Sequence, residues 1–198
     1  MKKELLKNHE KIHTWLKKAG ITNYTIKPNF SVNVSESVYL ADKKIKRIPL
    51  QFGSIEGDFD IGNNQLVSLE GSPKVVMGSF SAKNNQLKSL EFCPQKVQGY
   101  FIISNNQIKD FKYSPSEISG AIICIKNPLE SLLELKSVFC GTLQYHLKDH
   151  VPLPHFEQFY DEDNILTLTH EEIKAVQVHT SLVSQLPEKS ATKKLNKI

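Results

Sequence analysis

The sequence predicts an α/β repeat fold: a solenoid of short stacked turns, with a parallel β-sheet along its concave face and a helical cap at each end. Three observations predict it. A period of 21 residues runs through the middle of the 198-residue chain. Each period repeats the same alternation of apolar residues, in all but the first ahead of an asparagine. On both sides of the periodic stretch the pattern gives way to helical spacing.

The period is visible without gaps. Residues 58–78, 79–99 and 100–120 align, and within them recur Asn63-Asn64-Gln65-Leu66, Asn84-Asn85-Gln86-Leu87 and Asn105-Asn106-Gln107-Ile108. One period earlier, residues 37–57 place Val38, Leu40, Ile45 and Ile48 on the apolar positions. One period later, residues 121–141 supply Ile122, Cys124, Asn127, Leu129 and Leu132. A sixth unit starts at Thr142 with Leu143 and Tyr145, and the pattern then stops.

The chemistry of each position follows from the second unit. Phe59 and Ile61 alternate, so both face one side of a short strand. Leu66 and Leu69 turn the chain back inward. One unit cannot bury its apolar face alone, whereas stacked units can. Asn64, Asn85, Asn106 and Asn127 fall one per turn, where the backbone leaves the strand. A buried amide there offers a donor and an acceptor to backbone groups that would otherwise be orphaned. Gly57, Gly78, Gly99, Gly120 and Gly141 close the units, at a tight turn expected to use positive φ.

The apolar-x-apolar-x-x-Asn-x-apolar pattern resembles the leucine-rich repeat over residues 37–146. The 21-residue length, with Pro73, Pro94 and Pro115 in the returning segment, is similar to the short bacterial class of that repeat. The resemblance implies a protein-binding module of the kind found in bacterial virulence effectors that enter host cells and in phage-encoded proteins. Lys43 departs from the asparagine slot in the first unit, and Pro128 and Lys136 depart from the glutamine and proline slots in the fifth. Terminal repeats of solenoids are commonly irregular in this way.

The flanks read as caps. Over residues 3–19, Leu5, Leu6, Ile12, Trp15 and Leu16 share one face of an amphipathic helix that Gly20 stops, with Trp15 in the core of the cap. Tyr24, Ile26, Val32 and Val34 then alternate around Lys27-Pro28-Asn29-Phe30, which predicts a hairpin. On the other side, residues 151–163 hold Pro152, Pro154 and an acidic cluster, and read as a loop. Thr169-His170-Glu171-Glu172 is a capping box. The helix it opens carries Ile173, Val176, Val178, Leu182, Val183 and Leu186, and Pro187 ends it. The predicted organisation is a cap over 1–36, the solenoid over 37–146, a second cap over 147–187 and a disordered basic tail over 188–198.

Composition narrows the function. The chain is 39% hydrophobic and 23% charged, with a net charge of +4. No apolar run approaches the roughly 20 residues that span a bilayer. No uninterrupted apolar stretch follows the basic start, so the reading is a bacterial cytoplasmic protein, or one injected into a host cell without a cleavable signal peptide. Three cysteines without a CxxC pattern indicate a reducing compartment. Lys189, Lys193, Lys194 and Lys197 concentrate charge in the tail and leave the folded part near neutral. That argues against nucleic acid as the partner, with binding through the tail kept as an alternative.

The expected binding surface is the outward side of the strands. One column runs Tyr39, Asp60, Ser81, Ile102, Ile123, Gln144; the next runs Ala41, Gly62, Lys83, Ser104, Ile125, His146. Ile102, Ile123 and Ile125 form an apolar group where solvated residues are expected. Either the C-terminal helix covers them, or they receive a partner protein together with Tyr39, Asp60, Lys83, Ser104 and His146.

Catalytic and cofactor motifs are sparse. His146, His150 and His155 lie near Cys140 and Asp149, which keeps open a small enzyme with a site at Cys140 and His146. Their spacing does not match a zinc ligand set, however. Cys93, Cys124 and Cys140 read as structural. The acidic cluster Glu157, Asp161, Glu162 and Asp163 lacks the ligand alternation of a calcium loop. Neither GxxxxGK[ST] nor GxGxxG is present, and no metal or other cofactor is expected.

Overall fold

The structure, a computed structural model, describes residues 4–130, 132, 134, 135, 138, 139, 142–146, 165–169 and 171–175. A helix, α1 (His9–Ala19), precedes an antiparallel hairpin of β1 (Tyr24–Ile26) and β2 (Val32–Val34). Paired strands follow: β3 (Val38–Tyr39) and β4 (Phe52–Ile55), β5 (Phe59–Asp60) and β6 (Val75–Val76), β7 (Phe80–Ser81) and β8 (Lys96–Val97). Then come β9 (Phe101–Ile102) and β10 (Glu117–Ile118), β11 (Ile122–Ile123) and β12 (Val138–Phe139), and last β13 (Thr142–His146) and β14 (Ile165–Thr169).

Each 21-residue unit is one turn of a coil, and from β2 to β13 the odd and even strands stack into separate sheets. One sheet runs β3-β5-β7-β9-β11-β13-β14; the other runs β1-β2-β4-β6-β8-β10-β12. All neighbours among β3 to β13 are parallel, with partners 21 residues apart, such as Phe59 with Phe80 and Phe80 with Phe101. The molecule is thus a parallel β-solenoid of about five turns. This corrects the expected α/β unit, because the returning leg is itself a strand. Its inward residues, Ile55, Val76, Val97 and Ile118, are buried opposite the first sheet.

The core lies between the sheets. Phe59, Ile61, Leu66 and Leu69 are wholly buried, as are their counterparts one turn on, Phe80, Ala82, Leu87 and Leu90. Phe59, Phe80 and Phe101 stack with centroids 6.0 and 5.4 Å apart. Phe52 meets Phe59 edge-on at 5.1 Å, and Trp15 of α1 meets Phe52 at 6.4 Å, so the aromatic column continues into the helix.

The closing glycines are explained by proximity rather than by φ. Gly57, Gly78, Gly99 and Gly120 are not among the positive-φ residues. A Cβ on Gly78 would lie 2.7 Å from the Gly57 carbonyl carbon, and one on Gly120 would lie 2.6 Å from the Gly99 oxygen. Successive turns touch backbone to backbone there, and only hydrogen fits. Left-handed backbone occurs instead one residue before the asparagine slot, at Asp42, Asn63, Asn84, Asn105 and Lys126.

α1 starts later than its apolar pattern suggests. Asn8 caps it, accepting the Lys11 N–H at 3.0 Å, and Gly20 ends it in the left-handed region. Leu5 and Leu6 therefore lie outside the helix, and the Leu6 N–H donates to the Pro49 carbonyl at 2.8 Å. Ile12 and Leu16 are wholly buried. The hairpin pairs Tyr24 with Val34 and Ile26 with Val32, as the alternation predicts.

On the other side, β14 was not foreseen. Its antiparallel pairing with β13, Leu143 opposite Leu168, closes the edge that the last turn would otherwise leave open. Thr169 and Glu172 form the expected capping box, with the Thr169 N–H donating to Glu172 Oε2 at 2.7 Å. Residues 171–175 are helical and Ile173 is buried. Val176, Val178, Leu182, Val183, Leu186, the expected loop at 151–163 and the tail at 188–198 lie outside the described residues.

Candidate partner-binding face

The first sheet turns one side inward and the other outward. Phe59, Phe80, Phe101, Ile122 and Leu143 point into the core, so the residues after them take the outer side. The ladder sets these outer residues side by side: Tyr39 opposite Asp60, Asp60 opposite Ser81, Ser81 opposite Ile102, Ile102 opposite Ile123, Ile123 opposite Gln144. β14 adds Thr167 opposite Gln144. The first column read from the sequence is therefore one continuous row.

Its character changes along the stack. In the first turns the face is polar and locally self-satisfied. Asp60 Oδ1 accepts the Gly62 N–H at 2.9 Å. A Cβ at Gly62 would come within 3.0 Å of that oxygen and 3.1 Å of Lys83 Cγ, so the glycine makes room for both side chains. Tyr39 is 60% exposed, and Lys83 is exposed. Ser81 and Ser104 are buried despite facing outward. Ser104 Oγ donates to the Ile123 carbonyl at 3.2 Å, whereas Ser81 Oγ has no hydrogen-bond partner among the described residues.

Farther along, Ile102, Ile123 and Ile125 are half-buried. Ile102 and Ile123 are register partners on adjacent strands, and all three keep part of their surface open. At the start of the C-terminal helix, Ile173 joins Leu168 and Leu143 in the core. His146 belongs to β13, paired with Ile165. Cys140, His150 and His155, on which the enzymatic alternative depends, are outside the described residues.

The inner asparagines hold the face in register. Asn64, Asn85, Asn106 and Asn127 each donate to a carbonyl of the preceding turn, those of Leu40, Ile61, Ala82 and Ile103, at 2.9–3.0 Å. Each accepts in return an N–H of that turn, from Ile45, Leu66, Leu87 and Ile108. A second ladder escaped the sequence reading. Asn105 donates to Asn84 and Asn84 to Asn63, both at 2.6 Å, and Asn63 donates to Asp42 at 3.3 Å. Its signal was the doubled asparagine in the three central units.

Cys124 fills a core position as expected, and burial raises its thiol pKa. Cys93 donates to the Tyr113 carbonyl at 3.0 Å, and burial pushes its pKa up to about 12. Neither thiol is poised as a nucleophile. Among the described residues no His, Cys, Asp and Glu side chains converge in a group that could hold a metal, and no helix is long and apolar enough to cross a membrane. An open groove of about 440 Å³ lies elsewhere, lined by His13, Thr14, Lys17, Ile21, Thr22 and Tyr24, with His13 Nδ1 2.7 Å from the Tyr24 hydroxyl.

Comparisons with family models, curated proteins and solved structures give no match to the chain.

Proposed function

We propose that the chain is a protein-interaction module of leucine-rich-repeat character, binding its partner on the outer face of the β3–β13 sheet. The observation that carries this reading is the row Ile102–Ile123 with Ile125 beside it. These are half-buried apolar side chains on a face the core does not use, held at fixed spacing by the stack. Ile102, Ile123 and Ile125 supply the apolar centre. Tyr39, Asp60, Lys83, Ser104 and His146 supply its polar extension. The role is binding rather than catalysis. As a bacterial effector or phage factor, the protein would meet its partner inside a host cell.

The test is affinity capture from host and bacterial lysates with the wild type and an Ile102→Glu/Ile123→Glu variant, both checked by circular dichroism and thermal melting. A protein retained only by the wild type supports the reading. Equal retention by both, or loss of the fold in the variant, overturns it.

A further inference from the structure

The expectation of a near-neutral fold overlooks how charge is distributed. Residues 1–50 hold eleven Lys and Arg against four Asp and Glu, whereas the rest of the chain holds fourteen against seventeen. The basic end is where the solenoid begins. Lys43, Lys44 and Lys46 lie in the first turn, all exposed, and none is within ion-pair distance of a described acidic group. The nearest acid in sequence, Asp42, already accepts the Asn63 amide.

The strand that leads into these lysines is also the open end of its sheet. The chain closes one end of each sheet with an antiparallel strand: β1 beside β2, and β14 beside β13. Among the described residues β3 has no such neighbour and pairs with β5 alone. Val38 and Leu40 donate their N–H groups to Asp58 and Asp60 of the next turn, at 2.8 and 2.7 Å. Because strand peptides alternate in direction, the N–H groups of Tyr39 and Ala41 and the Tyr39 carbonyl point away from the stack. None has a hydrogen-bond partner among the described residues, and Tyr39 is well exposed.

We infer that this end of the solenoid is a second docking surface, one that takes an extended acidic peptide of a partner protein as an added strand on β3. The main-chain groups at Tyr39 and Ala41 hold its backbone, and Lys43, Lys44 and Lys46 pair with its carboxylates. Strand addition to a free edge is a general mode of peptide recognition, in which backbone hydrogen bonds give affinity and flanking side chains give specificity. The lysines restrict the partner to acidic sequences and discourage pairing of two copies edge to edge, because each would bring the same charge. A peptide fits better than a nucleic acid, because the site offers backbone partners and lacks a series of stacking aromatics.

The probe is a short fluorescein-labelled peptide of alternating glutamate and valine, titrated with the full chain by fluorescence anisotropy at low and at physiological salt. Lys43→Glu/Lys44→Glu/Lys46→Glu is expected to weaken binding by about tenfold or more at low salt. Tyr39→Pro deletes an N–H that the stack does not use, and is expected to weaken binding by about tenfold with the salt dependence unchanged. The same peptide N-methylated at every residue should not bind the wild type, which tests the backbone bonds even if the proline variant fails to fold. The Ile102→Glu/Ile123→Glu variant should bind as the wild type does, which separates this surface from the outer face. Absence of binding to the wild type overturns the proposal. So does binding that survives both Tyr39→Pro and N-methylation, or oligothymidylate binding as tight as the peptide's, which would mark a general polyanion surface.

Discussion

Asn85 fastens two turns with one side chain. Its amide donates to the Ile61, Ala82 and Lys83 carbonyls, and its oxygen accepts the Leu66 N–H at 2.9 Å. Replacing it with alanine orphans the buried Leu66 N–H, at a cost of about 1–3 kcal/mol, whereas the three carbonyls keep the Asn64, Asn106 and Asn63 N–H groups as donors. Asn85→Ala is therefore expected to lose about 2 kcal/mol of unfolding free energy in urea melts; a loss within about 0.5 kcal/mol would mean that water satisfies the site. The same geometry accounts for Lys43. Every inner asparagine reaches back to the preceding turn, and the first turn has none behind it, so its slot is released to a solvated lysine. The slot itself was legible in the sequence. The division of labour between Asn63 and Asn64 was not, because two adjacent asparagines look alike until their backbone φ and partners are known.

Between elements, the joint of α1 with the hairpin depends on one carboxylate. Glu36 accepts the Thr22 N–H at 2.8 Å and the Asn23 N–H at 3.1 Å. The Thr22 backbone bond, then that of Asn23, hold its pKa below the usual 4.5. A group with a depressed folded pKa contributes stability above its unfolded pKa and loses it as pH falls through the folded value. Melting temperature in the wild type should therefore fall as pH drops below 4.5, in part through Glu36. Glu36→Gln should lower the melting temperature at neutral pH and flatten that acid decline; parallel curves for the two proteins would exclude the role. Element boundaries were less legible than element types. Leu5 and Leu6 fit the helical pattern, but Asn8 is the better cap. The return strands after β4 carry only two residues each, with no alternation long enough to read.

For the whole molecule, the question is how a stack of parallel turns ends. An open strand edge invites pairing with another chain. β14 answers this beside the last turn, and its Leu168, with Ile173 after it, also seals the core. Removing residues 165–198 exposes β13, and the truncated protein is expected to self-associate with rising concentration in sedimentation velocity while the full chain does not. A truncated form that stays monomeric would show that β14 is dispensable as an edge guard. At the opposite end no described strand covers β3, and exposed lysines follow it, which is why it serves as the candidate docking edge.

By itself the sequence determined the period, the inward apolar set, the asparagine slot, the hairpin and the capping box. These are local patterns, or local patterns repeated, and in a solenoid repetition carries inter-turn contact as well: a residue meets its counterpart 21 positions on. The row of outer residues from Tyr39 to Gln144 was legible for the same reason. Only the tertiary structure decided that the returning leg forms a second sheet, that the closing glycines serve backbone contact, that β14 turns back on β13 and that β3 has β5 on one side and no described strand on the other. Each of these depends on distances between segments or on how the stack terminates. A periodic sequence encodes how one turn follows another, but the ends break the period, and what closes them or leaves them open is settled by packing alone.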